Sequence, residues 1–334
     1  MAHLGEGDFV ELVSVKLPGR IFGSFFGLPE GDQRDKAVRA AQRLVGWTDP
    51  NIRGGDQSEL ELFMGAVMDL HAVAAELIPE RRAHPGDDLL TWMVQAEFDG
   101  KKMTDDELKA FFVLMGVASN DTTRHASAHA IAALSKFPDQ RALLVADVPG
   151  RIDTAVEEVL RWGSPLLHMR RTATQDVTVR GSEIKAGDKV VLWYYSANRD
   201  EDVFEDPHTF NILRNPNPHI AFGGGGPHFC LGAALARTML RTLLTEVYTR
   251  IPDISAPPEP DYALANFING INSLPATWTP EKALTHKETC YEDQGRSVVG
   301  GAAPEMGNRG GRTRRTQAGR STGQVDRERT LSLR

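Results

Sequence analysis

The chain has 334 residues, is 41% hydrophobic and 25% charged, and carries a formal net charge of −7, an ordinary composition for a globular protein. Residues 281–334 hold eleven Lys and Arg against seven Asp and Glu, which leaves residues 1–280 at −11 and argues against a nucleic-acid-binding body. Two cysteines and no C-x-x-C spacing exclude a disulfide framework and a structural zinc site.

Up to about residue 140 the pattern is helical. "DQRDKAVRAAQRLVGW", "SELELFMGAVMDLHAVAAELIPERR" and "DDLLTWMVQAEF" each repeat apolar residues three or four apart. A long helix is expected next, from Thr104 to Phe137, with Thr104 and Glu107 as a capping box. Between 110 and 118 it is apolar on every side, the mark of a helix threaded through a core. At nine residues this run is the longest apolar one, short of the roughly 20 a bilayer span takes. "MAHLGEGDFVELV" lacks a basic region followed by an apolar one, so no signal peptide is expected and the location reads as cytoplasmic and reducing.

"IDTAVEEVLRW" is a short amphipathic helix stopped by Ser164-Pro165. Strands follow within 167–195, notably "QDVTVRG" and "KVVLWYY", punctuated by Gly181 and Gly187. Residues 196–218 are irregular, and a last helix runs from just after Cys230 towards Pro252. The fold class is mainly α with small β-sheet portions. The tail after Pro280 has few large apolar residues and no periodicity, and is expected to be a disordered basic segment. Its "GRSTG" fits G-x-S-x-G without the strand and helix that motif needs.

The stretch "HIAFGGGGPHFCLGAALAR" at 219–237 sets four glycines, a proline and His228 ahead of Cys230 and a helix behind it. Glycines are costly to order, so the backbone has to come close to something there. Amides at the helix start favour a thiolate. A buried structural cysteine beside a turn is the alternative. A phosphate loop is not, because the P-loop Lys-Ser/Thr and the G-x-G-x-x-G spacing are absent. His125 and His129 lie one turn apart, but H-A-S-A-H has no Glu and no third ligand, so they read as helix-face residues.

Gly226-Pro227-His228-Phe229-Cys230-Leu231-Gly232 resembles the haem-binding loop of the cytochrome P450 family. "EEVLRW" resembles its Glu-x-x-Arg helix, "ANRDEDVFEDPHTFNILRNPNPH" the segment holding the third partner, and "ASNDTTR" its oxygen-activating groove. The resemblance covers nearly all of residues 8–280 and implies a partial cytochrome P450 fold over 1–280 with the tail at 281–334. It implies haem b as cofactor, with Cys230 as iron ligand and Phe222, Gly226 and Gly232 shaping the loop. His228 and Arg171 would pair with the propionates. Glu158, Arg161 and Arg214 would brace the loop, and Asp121 and Thr122 would deliver the two protons that O–O cleavage consumes. Where the family places a glycine two residues before the acid, this chain has Ser119.

Phe222 lies eight residues before Cys230 rather than the usual seven. That extra residue, with "NPNPHIAFGGGG" and "MRRTATQDV", resembles the bacterial group that hydroxylates sterol side chains and methyl-branched lipids at a terminal carbon. The pocket would be lined by Val117, Ala118, Leu166, Leu167, His168, Phe267 and Ile268, mostly apolar as such a substrate requires. With no flavin or nicotinamide fingerprint, electrons would come from a ferredoxin and its reductase. Arg237 and Arg241 are candidates to meet an acidic partner. The resemblance begins in the family's middle, without its N-terminal helices and their His-x-x-x-Arg propionate contact. The second reading is therefore a truncated chain that does not hold haem stably and catalyses nothing.

Overall fold

A computed structural model describes residues 1–53 and 57–281. The described residues form two compact units, one of Met1–Arg170 with Val191–Glu281, the other holding Arg171–Val190. The expected tail and its "GRSTG" lie outside the described residues.

In the larger unit, helix α1 (Lys16–Phe26) ends on Gly27 in the left-handed region, and its Phe22 and Phe26 stack edge-on or tilted against each other and Phe112 at 4.8–5.4 Å. Helix α2 (Asp32–Val45) buries only Ala37, Ala40 and Ala41, small enough for close packing on its neighbours. Helix α3 (Glu59–Ala83) starts with a full capping box between Ser58 and Glu61. Among the described residues it alone is long and apolar enough to cross a bilayer, yet Leu62, Ala66, Leu70, Val73 and Leu77 on it are buried within the protein. Helix α4 (Leu89–Gln95) is capped by Asp88, which accepts the Thr91 amide.

Helix α5 (Asp105–Lys136) carries the expected capping box of Thr104 and Glu107. Its burial differs from expectation. Ala110, Leu114 and Ala118, four residues apart, form an exposed stripe, with Leu114 59% exposed. The all-round buried stretch lies further on, with Ala126–Ile131 all buried. An all-apolar window therefore did not identify the core segment, because burial follows what packs alongside and not hydropathy alone.

Helix α6 (Pro138–Ala146) opens on a proline at its first turn, where the missing N–H costs nothing. Helix α7 (Val148–Gly163) stops at Ser164, which takes a left-handed φ of 37°, as expected at Ser164-Pro165. Helix α8 (Ala233–Arg250) follows the cysteine loop.

Sheets are small. "KVVLWYY" is a strand only over Lys189–Trp193, because Tyr194–Ala197 turns helical and buries Tyr194. In the smaller unit, Val177–Val179 and Ser182–Ile184 form an antiparallel hairpin across Arg180 and Gly181, both at positive φ. Three pairings escaped the sequence, Glu6–Asp8 with Pro275–Thr277, Glu97–Phe98 with Lys101–Lys102 and Asp261–Tyr262 with Ile271–Ser273. Segments of two or three residues are too short to show a period.

Two buried clusters hold the larger unit. One gathers α1, α2 and α3 around Leu108 and Phe112 of α5. The other gathers α7 and α8 around Ala126–Leu134 of α5. Helix α5 is common to both, and between them it carries buried Asn120, Asp121, Thr123 and His125.

Candidate active site

Cys230 is exposed, with a free thiol, three residues before Ala233, where α8 starts. Its amide donates to the Phe222 oxygen at 2.9 Å, and the Phe229 amide donates to Gly226 at 3.1 Å. These bonds fold the glycine run back on itself. Gly223, Gly225 and Gly226 take φ of 95°, 98° and 77°, a region costly for residues with a Cβ. A Cβ added to Gly224, Gly225 or Gly226 would meet nothing within 4 Å. Gly232 is the N-cap of α8, and a Cβ there would lie 4.0 Å from the Cys230 Sγ. Phe229 is 47% and Leu231 83% exposed on either side of the thiol, and His228 is exposed.

Behind the loop lies a buried brace. Arg161 donates from Nε and Nη2 to the two Glu158 carboxylate oxygens, each at 2.7 Å, and both residues are fully buried. Its remaining donors reach the carbonyls of Asn198, Pro207 and Thr209 at 2.8–3.0 Å. Arg214 approaches Glu158 at 3.3 Å through Nε and donates to the Glu205 carbonyl at 2.6 Å. Glu158 also accepts the Asn211 amide at 2.8 Å and the Asn217 side chain at 3.1 Å. A buried ion pair is favourable only when its other donors and acceptors are met; those of Glu158 and Arg161 are, while the Arg214 Nε and Asn217 Oδ1 beside them lack a hydrogen-bond partner. The three residues expected to act together are together.

Two further supports were missed from the sequence. Asn198, fully buried, donates to the Ser164 hydroxyl and accepts the Ile220 amide at 2.8 Å, joining the end of α7 to the start of the cysteine loop. Glu157, the other acid of "EEVLRW", accepts Arg237 at 2.6 and 2.8 Å and bonds His219 at 3.0 Å. Burial pushes the Glu157 carboxyl up, but the bonds from Arg237 and His219 outweigh it and bring it down to about 2. Arg237 also lies 4.5 Å over the Phe222 ring. Arg237 and Arg241, the candidates to meet an acidic partner, each pair with an acid of this chain, Arg241 with Asp153 at 2.5 Å. The doubled acid and His219 were the available signal.

On α5 the helix runs unbroken through the expected groove. The hydroxyls of Ser119 and Thr122 donate to the carbonyls four residues back, Met115 at 2.6 Å and Ala118 at 2.8 Å, as such residues do inside helices. Thr122 continues the exposed stripe of Leu114 and Ala118, half-buried, whereas Asp121 points into the protein. Burial pushes the Asp121 carboxyl up to about 7, against the pull of Arg124 at 3.8 Å, and its Oδ2 has no hydrogen-bond partner. Asp121 shares a small cavity with Asp49, Arg124, His125 and Asn272.

The expected pocket residues fall in two groups. Leu166 bridges Ile268, and the Leu167 amide donates to Phe267 at 2.9 Å. His168 packs 5.9 Å from Phe267 and 4.8 Å from Trp193. Val117 and Ala118 sit on α5. His125 and His129 brace this region. His129 donates to the Asn269 carbonyl at 2.9 Å, and His125 accepts the Ile271 amide at 3.1 Å. Burial pushes both imidazoles down, His129 to about 4. Among the described residues no cluster of three metal-ligating side chains occurs. Arg171 lies half-buried in the strand His168–Thr172.

Residues 152–250 match the family described as Cytochrome P450. A Bacillus megaterium cytochrome P450 solved with testosterone is 34% identical, with a TM-score of 0.72, over 82% of this chain and 73% of that one. The chain belongs to the cytochrome P450 family. A Mycobacterium marinum P450 solved with pseudoionone is 47% identical, with a TM-score of 0.79, over 82% of this chain and 65% of that one. The methyl-branched lipid omega-hydroxylase of Mycobacterium tuberculosis is 44% identical over 82% of this chain. The steroid C26-monooxygenase of Mycolicibacterium smegmatis is 37% identical over 90% of it. This P450 chain spans 63% and 65% of those two relatives' lengths.

The family implies a haem, and the residues fit one. An exposed thiol, bare glycine backbone and two exposed apolar side chains beside it suit a flat apolar macrocycle ligated through sulfur.

Proposed function

We propose that this chain is a haem-thiolate monooxygenase that inserts one oxygen atom of O2 into an apolar substrate, hydroxylating a terminal carbon of a methyl-branched lipid or sterol side chain. The observation that carries it is the exposed Cys230, held at the head of α8 by the Phe222 carbonyl and braced by the buried Glu158–Arg161 pair. Haem b held by Cys230 would supply dioxygen activation, a thiolate ligand favouring O–O cleavage. His228 would hold a propionate, a charge-assisted bond. Phe222, Gly226 and Gly232 keep side chains out of the way.

Burial pushes the Asp121 carboxyl up to about 7, and its Oδ2 has no other partner, the properties a proton donor needs. Thr122 would relay it from its hydroxyl after releasing the Ala118 carbonyl. The paired segments 166–168 and 267–268, with Val117 and Ala118, would seat the apolar chain. The two curated relatives named for methyl-branched lipid and steroid oxidation support this substrate class. Electrons would come from a ferredoxin and its reductase, and the location would be cytoplasmic.

Reduction of the full chain with added haem under carbon monoxide tests the reading. A Soret band at the thiolate-ligated position is expected, lost in Cys230→Ser. A histidine-type band, no band, or an unchanged band in Cys230→Ser would overturn it. Asp121→Asn is expected to keep that band and to slow turnover of a methyl-branched fatty acid at least ~100-fold.

A further inference from the structure

A cavity of about 550 Å³ opens among α2, α3 and α5, within the range that holds small ligands. Four cations line it, Lys36, Arg39 and Arg43 from α2 and Arg124 from α5, against one carboxylate, Asp69. Lys36, Arg39 and Arg43 follow one another at spacings of three and four, so they share a helix face, where like charges destabilise. Asp69 takes up two of them. It binds Arg43, and Lys36 at 3.3 Å. Arg39 has no acidic partner among the described residues. Arg124 is 11% exposed, lies 3.8 Å from Asp121 and feels Asp8 and Asp49 at longer range, and leaves its buried Nε without a hydrogen-bond partner. Burial pushes this guanidinium below its ordinary range, the mark of a cation whose lost hydration is not replaced. Beyond these charges the lining is Gln42 and Ile52, too polar for a hydrocarbon tail.

We propose that this cavity is a binding site for an oxyanion, a carboxylate or a phosphate, held by Arg39 and Arg124, with Asp69 setting Lys36 and Arg43 beside it. A guanidinium presents its donors in a fork that matches both groups. Bound anion would restore the hydrogen bond that the Arg124 Nε lacks and relieve the repulsion along α2. The anion comes either as the acidic end of an acyl compound or as a phosphate.

Thermal unfolding of the full chain, followed by circular dichroism at constant ionic strength, tests this without any need for haem, since a ligand of the folded state raises Tm by mass action. Inorganic phosphate and octanoate are titrated separately against sodium chloride. A saturating rise with either probe and not with chloride is expected; octanoate alone points to an acyl carboxylate, phosphate alone to a phosphate group. Arg39→Gln, at an exposed position, should keep the fold and weaken the apparent affinity about tenfold or more, while Arg20→Gln, outside the cavity, leaves it unchanged. Arg124→Lys keeps the charge and loses the fork, and should weaken binding too. Chloride matching both probes, or Arg39→Gln titrating like the parent, overturns the site.

Discussion

The Cys230 amide is tied to the Phe222 oxygen, and that bond closes only because the residues between them turn through positive φ. Gly226→Ala should therefore cost about 1 kcal/mol through the backbone alone, although its added methyl touches nothing. Urea denaturation measures that cost, and reduced haem uptake would show that the bare backbone is needed there. Asp121 offers a sharper test. Its carboxyl titrates near 7 when folded and near 4 when unfolded. Between those values the unfolded state has shed a proton that the folded state keeps, so stability falls as pH rises from 4 to 7. Asp121→Asn removes that loss, and should match the parent below pH 4 and exceed it above pH 7 by up to about 4 kcal/mol. A difference independent of pH in urea titrations would contradict the buried, unpartnered carboxyl. That Glu158 and Arg161 can pair was legible from their spacing of three on a helix, and Arg214 beside them from the family resemblance. Asn198, Glu157 and His219 were not, because they act through partners 22 to 80 residues away.

Helix α7 is where several supports converge. Its Glu158 and Arg161 face inward and Glu157 reaches the cysteine loop through His219. Glu158→Gln leaves the Arg161 charge buried without its partner, and should destabilise the chain by about 3–5 kcal/mol, read from chemical denaturation. The helix ends at Gly163, where a Cβ would lie 3.0 Å from the His129 side chain. The Gly163 carbonyl accepts the Asn269 side chain at 2.6 Å, and the Asn269 carbonyl accepts His129. Gly163→Ala should cost about 1–3 kcal/mol by overpacking and, through Asn269, displace Phe267 and Ile268. A larger fall in regioselectivity than in haem content would locate that displacement in the proposed pocket. Helix existence was legible in the three- and four-residue apolar spacing of α2, α3 and α5. The two- and three-residue strands that carry Asn269's neighbours were not.

Across the larger unit, α5 links two separately buried clusters, with polar residues in between. Leu134→Ala, fully buried in the second cluster, should lose about 2–5 kcal/mol. Leu114→Ala, on the exposed stripe, should change stability by no more than about 0.5 kcal/mol. Equal losses would mean that the exposed face is covered. By itself the sequence determined the helical class, the capping box of Thr104 and Glu107, the glycine-rich turn before Cys230 and the Glu158–Arg161 spacing, because those rest on local backbone chemistry and short fixed spacings. Tertiary structure alone decided which side of α5 is buried, that Asp121 loses its water while Thr122 keeps it, and that Arg237 serves Glu157. Burial and ion pairing depend on what long-range packing sets alongside a residue, and no local spacing encodes that.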